Sequence, residues 1–220
     1  RGLSISSKQT TGFDGGEYCI IWLGPEFPGN QLLDDTQSIT FDSPLLTDHM
    51  DVVGQPILDL SFTVNKPVAH IAIRLNDVWP SGEVSRITYH LQNLCMRDSR
   101  EVPTALEPGK RYRMKIKLDD IAWRVPKGHR LRVAISTSYF PMMWPVAEPV
   151  ARAVYAGSSE IQVPVRKAVV AEKPVEWKEA EAAAPVNAKE ITKPFHTREV
   201  GTDAKTGAKT LTIVDDFGTQ

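Results

Sequence analysis

Charge of one sign is scarce in this chain: 26 Lys and Arg nearly cancel 27 Asp and Glu, leaving a formal net charge of −1. Such a balance creates no field to steer nucleic acid or an anionic membrane, so neither is an expected partner. Long apolar runs are also missing, and none approaches the roughly 20 residues that a spanning helix needs. No charged-then-apolar leader pattern is present, and the chain begins at Arg1 rather than Met, which reads as a fragment or processed product. Only two cysteines occur, Cys19 and Cys95. They are too few for a disulfide framework; a bond between them is possible but unforced, the simpler reading is two free, partly buried thiols, and the compartment stays open.

What is there is enough apolar material for one good core and an appendage: 220 residues with 41% hydrophobic content. The richest stretch is Gly128–Pro149. Leu131, Val133, Ile135 and Thr137 alternate there with Arg130, Arg132, Ala134 and Ser136, the two-residue period of a half-buried strand. It ends in an aromatic loop between prolines, Tyr139-Phe140-Pro141-Met142-Met143-Trp144-Pro145, which needs a surface to cover or to be covered by. The same period recurs at Leu58–Val64, Ile71–Leu75, Ile87–Leu91, Tyr112–Leu118 and Ile161–Val165, with a shorter piece at Ser38–Phe41. Pro, Gly and Asp turns punctuate these runs, and no segment of 57–166 shows sustained helical spacing. The expectation is an all-β fold, an antiparallel jelly-roll β-sandwich, over residues 1–166. Residues 167–195, rich in Ala, Glu, Lys, Val and Pro, read as a linker. Residues 196–220 read as a β-hairpin appendage turning through Gly201–Gly207.

Catalytic signatures are lacking as well. No G-x-S-x-G elbow, C-x-x-C or H-E-x-x-H is present. Ser158-Ser159 runs straight into a strand, and the five histidines are scattered as structural or solvated groups, so no metal and no cofactor are expected. The pairs Asp34-Asp35 and Asp119-Asp120 read as turn residues bonded to local backbone. Trp22, Trp79, Trp123 and Trp144 could serve a carbohydrate-binding β-sandwich module, although Trp beside Pro or apolar residues is more often packing.

Taken together, several segments resemble the C-terminal domain of the CocE/NonD hydrolase family, which includes X-Pro dipeptidyl-peptidases and α-amino-acid ester hydrolases. They run in order: Gln31-x-x-Asp34-Asp35, Ile39–Leu45, Gly54-Gln55-Pro56, Ala72–Gly82, Gly128–Ser136, Ser138–Pro141 and Trp144-Pro145. The resemblance implies a jelly-roll of galactose-binding-like type, packed on an α/β-hydrolase domain that carries the Ser, Asp and His. It therefore assigns this chain no catalytic residue. It also leaves a homodimer open, and it makes Tyr18 and Trp22 candidates for lining the acyl pocket. Asn30 stands where the family's D-Q-x-x-D-D run begins with Asp. The loop Tyr139–Trp144 is expected to pack within the sandwich or at the junction with the hydrolase.

Overall fold

A computed structural model of the chain describes residues 2–17, 27–167, 175–184 and 188–219. Thirteen strands are seen among them. The first seven are β1 (Leu3–Ile5), β2 (Ile39–Asp42), β3 (Met50–Gly54), β4 (Ile57–Val64), β5 (His70–Val78), β6 (Val84–Asn93) and β7 (Tyr112–Lys117). The rest are β8 (Ile121–Val125), β9 (Arg130–Ser136), β10 (Arg152–Val154), β11 (Glu160–Gln162), β12 (Phe195–Thr202) and β13 (Lys209–Asp216). One short helix, α1 (Leu32–Asp35), precedes β2. No helix among the described residues is long and apolar enough to cross a membrane.

Residues Arg1–Arg166 form one unit, an antiparallel all-β sandwich. One sheet has the order β2-β9-β5-β6; the other runs β1-β10-β4-β11, with β7 on the far edge of β4. The even-numbered residues of β4 (Leu58, Leu60, Phe62, Val64) meet the odd-numbered ones of β5 and β9 (Ile71, Ile73, Leu75, Val133, Ile135) in one core. Each such side chain contributes roughly 1.5–3 kcal/mol by leaving water. The alternation in β7 is cleanest, because Arg113, Lys115 and Lys117 stay exposed while Ile116 is buried.

Register is reinforced by arginine–carboxylate forks. Arg132 on β9 lies opposite Asp42 on β2 and grips it at 2.6 and 2.7 Å. Arg124 on β8 lies opposite Asp51 on β3 and does the same at 2.6 and 2.8 Å. These planar two-point contacts fix geometry more than they add stability, since exposed pairs are worth about 0–1 kcal/mol.

Residues Lys167–Gln220 form the second unit. Its β12 and β13 pair from Phe195↔Asp216 to Thr202↔Lys209. The connecting turn is closed by Asp203, whose Oδ1 accepts from Lys205 N and Thr206 N at 2.9 and 2.7 Å. Gly207 supplies the left-handed residue at φ +70°.

Candidate functional site

In the centre of its sheet, β5 is buried on both faces. Ile71, Ile73 and Leu75 enter the core, while Ala72, Arg74 and Asn76 on the opposite face are also fully buried. What covers that second face is a layer of irregular chain: residues 8–16, α1 with its flanks, and the loop after β9. Two of these segments meet backbone to backbone where Phe140 N donates to Thr11 O at 2.7 Å.

A buried charge network joins this layer to the sheet. Arg74 faces Asp35 at 3.3 Å. Its Nη2 also donates to Ser38 Oγ at 2.5 Å and to Asp34 O at 3.4 Å, and its Nη1 to Gln31 Oε1 at 3.4 Å. Arg132 reaches the other oxygen of Asp35 at 3.1 Å, and Asn76 Nδ2 donates to Asp35 at 3.3 Å. Asp34 accepts from Gly12 N at 2.7 Å. Tyr139 donates its hydroxyl to Gln31 Oε1 at 2.6 Å and accepts from Arg86 at 3.0 Å. Burial pushes the carboxyls of Asp34 and Asp35 up, against the lowering pull of the Gly12 N–H on Asp34 and of Arg74 on both. Burial likewise raises the Tyr139 phenol. The Asp42 carboxylate holds the Arg132 guanidinium firmly protonated.

The two acids therefore do not make the local turn bonds expected of them. α1 turns both carboxylates inward: Asp35 meets Arg74, Asn76 and Arg132 on the strands, while Asp34 meets Gly12 N in the covering layer. The cause for Asp35 is Arg74: a cation on a fully buried strand face needs an anion brought to it. Asn30 keeps the acceptor its position requires, its Oδ1 taking Leu32 N at 3.1 Å and Val84 N at 3.0 Å. Steric closeness completes the layer. A Cβ on Gly12, which sits at φ +109°, would lie 2.5 Å from the carbonyl carbon of Tyr139.

The loop after β9 packs as a wedge. Tyr139, Met142 and Met143 cluster with Ala72, and Tyr89 and Leu91 flank them. The Phe140–Pro141 peptide is cis. Trp144 is 75% exposed and sits edge-on to Phe140 with ring centres 5.6 Å apart.

A second polar pair lies at the far end of β5. His129 Nδ1 stands 2.7 Å from Asp77 Oδ1, both side chains buried, and Trp123 Nε1 donates to Asp77 Oδ2 at 3.4 Å. The Trp79 ring packs on His129 at 5.1 Å. The pair braces the end of β5 beside the β5–β6 turn; among the described residues no hydroxyl or thiol bonds to this imidazole. Ser158 Oγ accepts from Arg111, and Ser159 Oγ donates to Tyr155 O; neither bond is to a base. Among the described residues no three His, Cys, Asp or Glu side chains group as metal ligands. Cys95 is a buried free thiol whose Sγ donates to Pro67 O at 3.5 Å. Tyr18 and Trp22, the expected pocket-lining pair, lie outside the described residues, as does Cys19.

Fold and site thus define a β-sandwich scaffold whose conspicuous polar chemistry is turned inward. The chain belongs to the X-Pro dipeptidyl-peptidase C-terminal non-catalytic domain family, whose model matches residues 3–183. Among solved structures it is similar to an α-amino acid ester hydrolase, at 17% identity and a TM-score of 0.63 over 75% of this chain and 32% of that one. It is also similar to an aminopeptidase from a marine sediment archaeon, Thaumarchaeota archaeon, at 16% identity and a TM-score of 0.63 over 76% and 33% of the two chains. A CocE/NonD family hydrolase from Staphylococcus aureus matches at 14% identity and a TM-score of 0.51, over 61% and 32%. The chain spans about a third of the length of these proteins, and at such identities the likeness is one of fold. Comparison with curated proteins gives no match.

Proposed function

We propose that this chain is the non-catalytic C-terminal domain of a CocE/NonD-type serine hydrolase, of the X-Pro dipeptidyl-peptidase or acyl-ester hydrolase class. In this reading it packs on an α/β-hydrolase domain of the same parent chain and helps to shape its acyl pocket. The observation that carries the reading is the family match across residues 3–183.

The inverted polarity of α1 supports it. Asp34 and Asp35 are buried, whereas Leu32 and Leu33 are 45% and 66% exposed, with Phe27 nearby in sequence at 47%. Apolar side chains outside and carboxylates inside is the reverse of a solvated helix. It is what a surface covered by another domain requires, and the network beneath α1 holds those leucines rigidly outward. Tyr18 and Trp22 remain the candidates for reaching the acyl pocket.

Two measurements test the proposal. The 220-residue chain alone should not hydrolyse p-nitrophenyl esters or Xaa-Pro anilides; serine-dependent turnover by the pure chain overturns the non-catalytic role. In the intact hydrolase, Leu33→Asp should loosen the junction and lower its melting temperature, while Tyr18→Ala and Trp22→Ala should change KM between short and bulky acyl groups. Unchanged acyl preference in both variants refutes the pocket role and leaves the packing role standing.

A carbohydrate-binding module is the alternative, and the exposure of Trp144 favours it. Trp79 and Trp123 fit it less well, because their indole N–H groups are engaged by Ser85 and Asp77. Glycan-array binding that disappears on Trp144→Ala would establish that alternative.

A further inference from the structure

β10 and β11 share one edge of β4, end to end: Arg152–Val154 pair with Val64–Phe62, and Glu160–Gln162 with Asp59–Ile57. Between them the chain leaves the sheet through a 3-10 turn, Ala156–Ser158. The backbone of β4 opposite the gap is still satisfied. Tyr155 N donates to Ser61 O at 3.0 Å, and Ser61 N donates to Ser159 Oγ at 3.0 Å. The detour therefore costs no hydrogen bonds, but it delivers no side chain to the core at that level.

A cleft of about 190 Å³ results between the two sheets. Its walls are core-facing residues, Leu58 and Leu60 of β4, Val133 and Ile135 of β9, Val154 of β10 and Phe41 of β2. Ala156, on the detour itself, lines it and is exposed, so the cleft is reached from solvent there. A closed apolar cavity of about 150 Å³ takes up benzene or xenon; this cleft is open on one side, so its similar volume limits a guest to about one ring. The one charged residue on its lining is Glu160, and no Lys or Arg lines it. That charge pattern disfavours an anion and suits a neutral guest.

We propose that this cleft is a binding site for a small neutral molecule built on a single ring, entering at the β10–β11 detour. The site is separate from the polar layer over β5, and the proposal does not depend on the hydrolase assignment.

The test uses the 220-residue chain with labelled methyl groups, titrated with benzene and, in parallel, with benzoate. Benzene should shift the methyl signals of Leu58, Leu60, Val133, Ile135 and Val154 saturably, and benzoate should bind at least about tenfold more weakly. Ile161 of β11 lines the cleft, as does Ala156 on the chain detour; Ala156→Trp and Ile161→Trp each fill it from one of these positions, and a folded variant of either kind should lose the benzene response. Non-saturable shifts in the wild type overturn the proposal, as does equal binding of benzoate or an undiminished response in a folded plugged variant. The wild-type titration decides the matter even if both variants fail to fold. Methyl shifts that follow protein concentration without benzene would assign the cleft to self-association and overturn the proposal equally.

Discussion

Replacing Arg74 by Met is the sharpest probe of what holds the outer layer on. The guanidinium is fully buried and bonds to Gln31, Asp34 O, Ser38 and Asp35. Met fills most of the volume but leaves the Asp35 carboxyl without its Arg74 partner and takes a nearby positive charge away from Asp34. Removing one partner of a buried pair costs about 3–5 kcal/mol, because the remaining charge is stranded. Asp35 keeps Arg132 at 3.1 Å, so the lower end applies, about 3 kcal/mol. For a unit of this size that corresponds to a fall in Tm of about 6–12 °C. The assay is thermal and urea unfolding followed by tryptophan fluorescence. Asp35→Asn, combined with Arg74→Met, removes the stranded charge along with its partner. The double variant should then lose at least about 1 kcal/mol less than the sum of the single ones. A single-variant cost under about 1 kcal/mol, or strict additivity, would refute the view that this pair pins α1 to the sheet.

The other predictions concern the same buried groups and one buried cation in the core. Burial raises the native pKa of Asp34 above its ordinary 3.8. A raised carboxyl holds its proton more tightly in the native state, so it destabilises progressively as pH climbs from that ordinary value through the raised one. The Tm difference, Asp34→Asn minus wild type, should therefore rise as pH climbs above that ordinary 3.8; a difference that falls with pH contradicts the burial argument. Arg152 donates through Nη2 to His70 O at 2.6 Å, but its Nε and Nη1 find no partner among the described residues, and burial lowers its pKa to about 9. As a depressed base it destabilises below about 9 and is relieved as pH rises above that towards the ordinary arginine range. Arg152→Met should accordingly match or exceed wild-type stability near neutral pH in urea unfolding, and a loss above about 1 kcal/mol would show the cation to be net stabilising. Gly12→Ala should cost more than about 3 kcal/mol, because its Cβ would stand 2.5 Å from Tyr139 backbone at a left-handed φ; a melting curve like that of wild type would rule out the close approach.

How much of this was legible in the sequence depends on which face of each strand meets water. In β7 the Arg and Lys positions are exposed, so alternation reports both strand and orientation. In β5 it reports the strand but misleads about the second face. Arg74 and Asn76 sit where a solvated face would place polar residues, yet both are fully buried. The short strands carry too few residues for a period to show. β1 and β10 have three each, and β3 and β8 make sense only as a pair, joined by the Asp51–Arg124 fork across 73 positions. The Asp34-Asp35 doublet reads as turn chemistry for the same reason. Its partners are tertiary, and a two-residue acidic motif carries no record of an arginine forty positions on. The usable signal was the pairing of two oddities: an arginine on the inner strand of an antiparallel sheet, and an acidic doublet directly followed by Thr36-Gln37-Ser38 and strand β2. A buried cation must have an anion carried to it, and a doublet on a four-residue helix next to leucines can present carboxylates inward only by presenting the leucines outward. The buried network and the exposed apolar face of α1 are then one arrangement, and the second is the structural consequence of the first.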